Sequence, residues 1–156
     1  MPLIIDEEQA AAQSRLTAIR MTLLTLRCME NWKQDVDDYD EAMILVAVVA
    51  ITAERLTRSG LEPEMRDLGR PIPPERLARC NVSSIAAATG LNRETARRKV
   101  GALVARGLLV RSARGAIAFT PGLLQQDSTL ELVRRQLDSV VRFANDLLRD
   151  GVLIHG

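Results

Sequence analysis

Between Ser83 and Phe119 the chain reads SSIAAATGLNRETARRKVGALVARGLLVRSARGAIAF, and the punctuation of that stretch constrains the fold more than anything else in it. Ser83 suits an N-cap, because its hydroxyl can accept from an early helical N–H. Gly90 can stop a helix in the left-handed conformation without a Cβ clash. A short helix over Ser83–Thr89 is therefore predicted. Small residues between Ala86 and Gly90 permit close helix approach. Leu91 then turns inward, and Asn92 caps a second helix from Arg93 to about Arg106. Along that helix Ala96, Val100, Leu103 and Val104 share one face, while Glu94, Arg98, Gly101 and Ala105 share the opposite one, flanked by Arg97. Gly107 ends it. Leu108–Val110 reads as extended, Ser112–Gly115 as a turn, and Ala116–Phe119 as the returning strand.

Two helices, a tight turn and a basic hairpin follow the order of a helix-turn-helix with a wing. GLNRETARRKVGALVARGLLV is similar to the recognition-helix region of MarR-type and GntR-type bacterial regulators. In those, a glycine turn, a polar cap, a Thr and an Arg pair precede Leu-x-x-x-Gly-Leu-Leu/Val. The resemblance covers about a quarter of the chain. The Asp-x-Arg pattern usual in MarR wings is absent from RSARGA. The resemblance implies that the second helix enters the major groove of DNA, that the wing contacts the adjacent backbone or minor groove, and that terminal helices form a dimer. The fold expected is mainly α: a winged helix-turn-helix, with a three-helix core and a β-hairpin wing, carrying additional long N- and C-terminal helices.

Charge partition supports that reading. Residues 1–69 hold 7 basic and 13 acidic residues (net −6), residues 70–122 hold 10 and 2 (net +8), and residues 123–156 hold 4 and 5 (net −1), although the whole chain is only +1. A phosphate backbone responds to the local patch, because screening limits the attraction to about 10 Å. The DNA-facing set expected is Ser84, Asn92, Arg93, Glu94, Thr95, Arg97, Arg98, Arg111 and Arg114. Arg98 is the expected base reader, with Arg97 next, since a guanidinium can take guanine bidentately. Arg93, Thr95, Arg111 and Arg114 are the expected phosphate or minor-groove contacts.

A chain of 156 residues is long enough for a single domain over 1–156 with an adequate core. Its expected parts are N-terminal helices over 6–58 for core and dimerisation, the winged helix-turn-helix over 75–120, and a C-terminal dimerisation helix over 127–150. The first helix starts at Asp6, with Gln9 completing a capping-box spacing. Ala12, Leu16, Ile19, Leu23 and Leu26 make a heptad-like seam that fades near Asn31. After the acidic loop WKQDVDDYD, Asp38 or Asp40 caps a helix to about Arg58. Its centre, AMILVAVVAI, is apolar on all sides and calls for burial all round, in a core or between subunits. Residues 61–74 read as a loop, with a short helical turn from Pro74. Ser128 and Glu131 make another capping-box pattern before the last helix, which Gly151 stops. Leu130, Val133, Leu137, Val140, Ala144 and Leu147 form a second stripe. The dimer interface is expected at Leu16, Ile19, Leu23, Leu26, Leu130, Val133, Leu137, Val140 and Leu147. A monomeric core in which these helices cover each other is the alternative.

Site chemistry is sparse. The lone histidine, His155, falls in a tail expected to fray. No phosphate loop, Cys/His cluster or nucleophile elbow occurs, so no catalytic residue, metal or cofactor is expected and the chain does not read as an enzyme. Asp35, Asp37, Asp38 and Asp40 lack the glycine and terminal glutamate of a calcium loop and read as a solvated, capping loop. Trp32 and Tyr39 could line a small-molecule effector pocket or plug the edge of the core. Cys28 and Cys80 are isolated, MPLIIDEEQ has no signal-peptide pattern, and the longest apolar run is too short to span a bilayer. A cytoplasmic protein without membrane association is expected. The expected function is a sequence-specific, homodimeric DNA-binding transcription regulator acting on a palindromic operator. The alternative is a winged-helix protein-interaction module without DNA binding, which should present apolar residues on the exposed face of the second helix.

Overall fold

The computed structural model describes residues 1–34 and 36–156. In chain order the elements are β1 (Leu3–Ile5), α1 (Glu7–Ala12), α2 (Ser14–Lys33), α3 (Tyr39–Thr52), α4 (Glu54–Ser59), α5 (Val82–Thr89), α6 (Arg93–Ala105), β2 (Leu109–Arg111), β3 (Ile117–Phe119), α7 (Asp127–Arg149) and β4 (Leu153–His155). The fold is mainly α, with β1 paired antiparallel to β4 and β2 to β3. The chain divides into two compact units: Trp32–Leu130, the central unit, and Met1–Asn31 with Glu131–Gly156, the terminal unit. The N-terminal helices grouped over 6–58 by sequence thus fall in different units. No helix among the described residues is long and apolar enough to cross a membrane.

The central unit is built around α3, α5, α6 and the β2–β3 hairpin. Ile44 and Val48 of α3, Ile85 of α5, Val100 and Leu103 of α6, Leu109 and Ile117 of the hairpin, and Cys80 form its buried core. Burial raises the Cys80 thiol pKa, so it behaves as a small core residue. Within the single chain the apolar α3 is buried on one side only, not in a core all round. Ala42, Ile44, Ala47 and Val48 face the core, while Met43 and Val49 are exposed. Nor does one helix run to Arg58. The Thr52 carbonyl accepts from Ala78 N–H at 2.9 Å, which diverts the helical ladder and leaves α4 as a separate turn.

Local signals hold well through α5 and α6. Gly90 closes α5 at φ 72°, a left-handed position that only glycine adopts freely. Asn92 Oδ1 accepts from Glu94 N–H at 2.9 Å and caps α6. The cap of α5 differs from expectation: the helix begins at Val82, and Asn81 rather than Ser83 is its N-cap. Asn81 Oδ1 accepts from Ser84 N–H at 2.9 Å, and Ser84 Oγ accepts from Asn81 N–H at 2.9 Å. This reciprocal box satisfies two orphan donors, where a Ser83 cap would satisfy one.

In the terminal unit α2 and α7 run antiparallel. Gln13 Nε2 donates to the Asp150 carbonyl. Arg20 donates to Asp150 at 2.6 Å and pairs with Asp146 at 3.0 Å. At the other end Gln136 Nε2 donates to the Cys28 carbonyl at 3.1 Å. Asp6 caps α1 as read from sequence, accepting from Gln9 N–H at 3.0 Å, and the helix is interrupted at Gln13. Ser128 does not cap α7; it lies inside the first turn, because the helix starts at Asp127 and the Gln126 carbonyl takes the Thr129 and Leu130 N–H groups. His155 is not in a frayed tail. It ends β4 opposite Leu3, a pairing made possible by two short apolar segments that each read as featureless alone.

The stripe residues of this unit are exposed. Leu16, Ile19, Leu23 and Leu26 on α2, and Val133, Leu137 and Val140 on α7, are about half exposed, as is Leu130, which falls in the central unit. Leu147 is the exception, buried at 6 % exposure, and is corrected from an interface candidate to a residue of its own unit's interior. A heptad repeat drifts by about 20° per seven residues on a 3.6-residue helix, and by Leu147 the stripe has rotated toward the α2 side.

Candidate nucleic-acid interface

The first two turns of α6, the start of α5 and the hairpin meet on one side of the central unit. Asn81, Val82, Ser83, Arg93, Arg97, Arg111 and Gly115 line an open concavity of about 350 Å³. Three arginines from two different elements, Arg93 and Arg97 of α6 and Arg111 of β2, thus line one surface with the start of α5. Arg93 and Arg97 reach it because α6 turns its apolar face, Ala96, Val100 and Leu103, into the core. Arg111 projects from the same side of β2 as buried Leu109, two residues nearer the hairpin turn, and is exposed there.

The hairpin is held to this place by hydrogen bonds of the backbone. Ile117 N–H donates to the Cys80 carbonyl at 2.8 Å, tying β3 to the residue just before the α5 cap. Within the turn Ala116 N–H donates to Ser112 Oγ at 3.0 Å, and Gly115 takes φ 76°. Arg79 donates to the Arg114 carbonyl at 2.7 Å and fixes the turn from outside. Sequence reading missed Arg79, since nothing in its neighbourhood says that a loop arginine will hold a hairpin 35 residues away.

The expected site residues do not all act alike. Arg93, Arg97 and Arg111 come together in the concavity. Arg98 is exposed on the outer face of α6, and Arg114 is exposed at the hairpin turn. Thr95 is half-buried in the first turn. Ser84 does not line the concavity; its hydroxyl is engaged in the α5 cap, and Ser83 occupies the position instead. Asn92 caps α6 through its carbonyl oxygen. Glu94 and Arg97 form a two-point pair, at 2.9 Å and 2.6 Å. The Arg97 hydrogen bond holds the Glu94 carboxyl below its usual pKa, and Glu94 in turn raises that of Arg97.

Two further cations of α6 are turned elsewhere. Lys99 binds the Asp38 carboxylate and lies 3.9 Å from Asp40, and Arg106 pairs with Glu41 at 2.8 Å and Asp37 at 3.3 Å. The hydrogen bond from Lys99 depresses the Asp38 pKa. Glu41 is buried, so Arg106 compensates a carboxylate that burial would otherwise penalise. The acidic loop is therefore not merely solvated. Asp38 caps α3, as read from sequence, and its neighbours anchor the back of α6; Asp35 lies outside the described residues. Among the described residues no three His, Cys, Asp or Glu side chains are grouped to hold a metal.

Gly101 lies on the exposed face of α6, and a Cβ added there would meet nothing within 4 Å. A helix-interior glycine costs about 1 kcal/mol relative to alanine, and packing within this chain gives no return for it. The exposed face near it carries Arg98, Ala102 and Ala105, with no large apolar side chain. Trp32 packs against the central core, and Lys33 Nζ sits 4.8 Å from the centre of the Tyr39 ring. Comparison with protein-family models, curated proteins and solved structures finds no match to this chain.

Proposed function

We propose that this protein is a sequence-specific DNA-binding transcription regulator, a winged helix-turn-helix acting as a homodimer on a palindromic operator. The observation that carries the reading is the convergence of Arg93, Arg97 and Arg111 with the α5 start and the hairpin turn. Such a surface suits a polyanion, because N–H groups at a helix start and several guanidinium groups all favour phosphate oxygens. On this reading α6 is the recognition helix, Arg98 reads a base edge, and Arg114 on the wing holds the backbone. The bare Gly101 backbone lets the helix sit close in the major groove.

The rival, an interaction module without DNA contact, calls for an apolar outer face on α6, and that face carries arginines, a glutamate and small residues. Dimerisation is the second half of the proposal. One helix-turn-helix reads a short half-site, and a two-fold partner doubles the contacts at a spacing of about 34 Å. The exposed apolar residues of the terminal helices supply the surface for it. Occupancy of the operator would then block or recruit polymerase from a cytoplasmic location.

The test is a salt titration of binding to double-stranded DNA by fluorescence anisotropy. Three phosphate-holding arginines per chain, Arg93, Arg111 and Arg114, give a dimer a slope of log affinity on log salt of about −5. Binding that is absent at low salt, or that does not depend on salt, would refute the reading.

A further inference from the structure

The terminal unit pairs its two helices through their polar sides. Along α2 and at Gln13 just before it, the positions facing α7 include Gln13, Arg20, Cys28 and Asn31, and along α7 and at Asp150 just after it, the positions facing α2 include Gln136, Asp146 and Asp150. The apolar stripes are left outside. At 100° per residue, the α2 stripe lies about 120° behind its facing direction, and the α7 stripe about 120° ahead of its own. For two antiparallel helices, offsets of opposite sign point to opposite faces of the pair. Leu16, Ile19, Leu23 and Leu26 therefore line one face, and Val133, Leu137 and Val140 the other, all with 39–52 % exposure. A flat two-fold contact covers one face and leaves the second bare. The intrachain seam is stitched at both ends, by Gln13 and Asp150 at one and by Cys28 and Gln136 at the other, so it does not open to let a partner interlock.

Each face is complementary to itself. The α2 positions are symmetric about Met21, with Leu16 and Leu26 five residues away and Ile19 and Leu23 two residues away. A second α2 packed antiparallel about that point brings Arg15 within about one helical turn of Glu30 of the partner subunit. The hydroxyl of Thr22, beside the stripe, already donates to its own helix at 2.9 Å, so burying it orphans no donor. On α7, Arg134 and Asp138 border the stripe and pair within the helix at 3.1 Å. An antiparallel α7 centred between Gln136 and Leu137 sets Val133 against Val140 of the partner subunit. It also sets Arg134 beside Asp138 of the partner subunit, twice over by symmetry. Charge and shape thus both select a second copy of this chain as the occupant of each face.

We infer that the terminal unit carries two separate self-association surfaces, and that the protein assembles as a pair of dimers. The broader α2 face makes the stronger contact, and the narrower α7 face, rimmed by charge, joins two such dimers. The consequence for DNA, cooperative occupation of two operators by one assembly, rests on the function proposed above; the assembly itself does not.

The experiment is sedimentation of the full chain over a hundredfold concentration range, without DNA. The result expected is a tetramer at high concentration that dissociates to a dimer on dilution. Leu137→Glu stops at the dimer, and Leu23→Glu also yields a dimer, now through α7, while the double variant is a monomer. Circular dichroism of each variant checks its fold. Arg134→Asp weakens the tetramer by about tenfold or more, and adding Asp138→Arg restores it, a result that misfolding does not give. A wild-type chain that never exceeds a dimer at hundreds of micromolar would overturn the inference. So would single variants that are each monomeric, since that marks one continuous interface. Failure to bind DNA alongside the tetramer would remove only the function.

Discussion

The two units obey opposite rules about what is buried. The central unit hides its aliphatic side chains and exposes arginine, with Ile44, Val48, Ile85, Val100 and Leu103 at zero exposure. The terminal unit holds itself together with Gln13, Arg20, Gln136 and Asp150 and leaves leucine, isoleucine and valine outside. Its seam is also imperfect: Thr17 Oγ1 and Arg135 Nε are buried without a hydrogen-bond partner, and the described residues show no such atom in the central unit. Each orphan costs about 1–3 kcal/mol. A unit that loses hydrogen bonds inside and exposes its best apolar residues is not at its most stable alone. The contrast is that the central unit encloses an apolar core of its own, whereas the terminal unit leaves apolar stripes exposed, the surface that the proposed self-association would use.

Substitution inside each unit should expose that difference. Leu103→Ala in the central core should lower stability by about 2–5 kcal/mol, the cost of lost burial plus a cavity, read by denaturant unfolding. Leu23→Ser in the terminal unit should instead weaken the concentration dependence of the melting temperature, which a self-associating wild type must show, and Leu23→Ser combined with Leu137→Ser should abolish it. If Leu103→Ala left stability unchanged, the core would be misplaced. If the wild-type melting temperature did not move with concentration, the terminal unit would be complete alone.

On the outer face of α6 the effects move from stability to binding. Arg98→Ala should cost about 1–3 kcal/mol at the preferred DNA site while changing random DNA much less. Equal loss on both would make Arg98 a phosphate contact. Gly101→Ala separates the two properties further. It should stabilise the helix by roughly 0.5–1 kcal/mol, since its Cβ meets nothing in the chain, and still weaken operator binding. A variant that is both more stable and a better binder would remove close approach from the account.

The smallest effect is expected behind the interface. Asp38→Asn keeps a good N-cap for α3 and removes only the charge opposite Lys99. Because Lys99 lowers the Asp38 pKa, the ion pair stabilises the fold above the unfolded aspartate value. That contribution is lost as pH falls through the depressed value. The difference between wild type and Asp38→Asn should be full at neutral pH, below about 1 kcal/mol after solvent screening, begin to shrink only as pH falls toward about 4, and vanish below the depressed native value. A difference that persists at low pH would mean that the variant disturbs packing.

Legibility in the sequence follows the range of the interaction. The elements from α5 to β3 were readable because each boundary is written in adjacent residues: Gly90 at φ 72°, Asn92 as a cap, and the 3.6-residue spacing of Ala96, Val100 and Leu103. Arg93, Arg97 and Arg111 were each readable as candidates for a DNA-facing surface, but that they line one concavity was not, because it depends on how the hairpin folds back beside α6. Features that depend on distant partners were not. Arg79 holds the Arg114 carbonyl, Lys99 is diverted to Asp38, β1 finds β4, and the Thr52 carbonyl is taken by Ala78. The stripes themselves were visible as heptads. That they face opposite sides was not, because it depends on which flank of each helix the other one takes.

The most direct test of the proposed function is selection of bound fragments from a random pool of double-stranded DNA, using the full chain at physiological salt. The account predicts enrichment of an inverted repeat with half-site centres about 10 base pairs apart, one turn of the duplex. A guanine in each half should lose its preference when the selection is repeated with Arg98→Ala. A pool that returns unenriched, or a single unrepeated motif indifferent to Arg98, would contradict it.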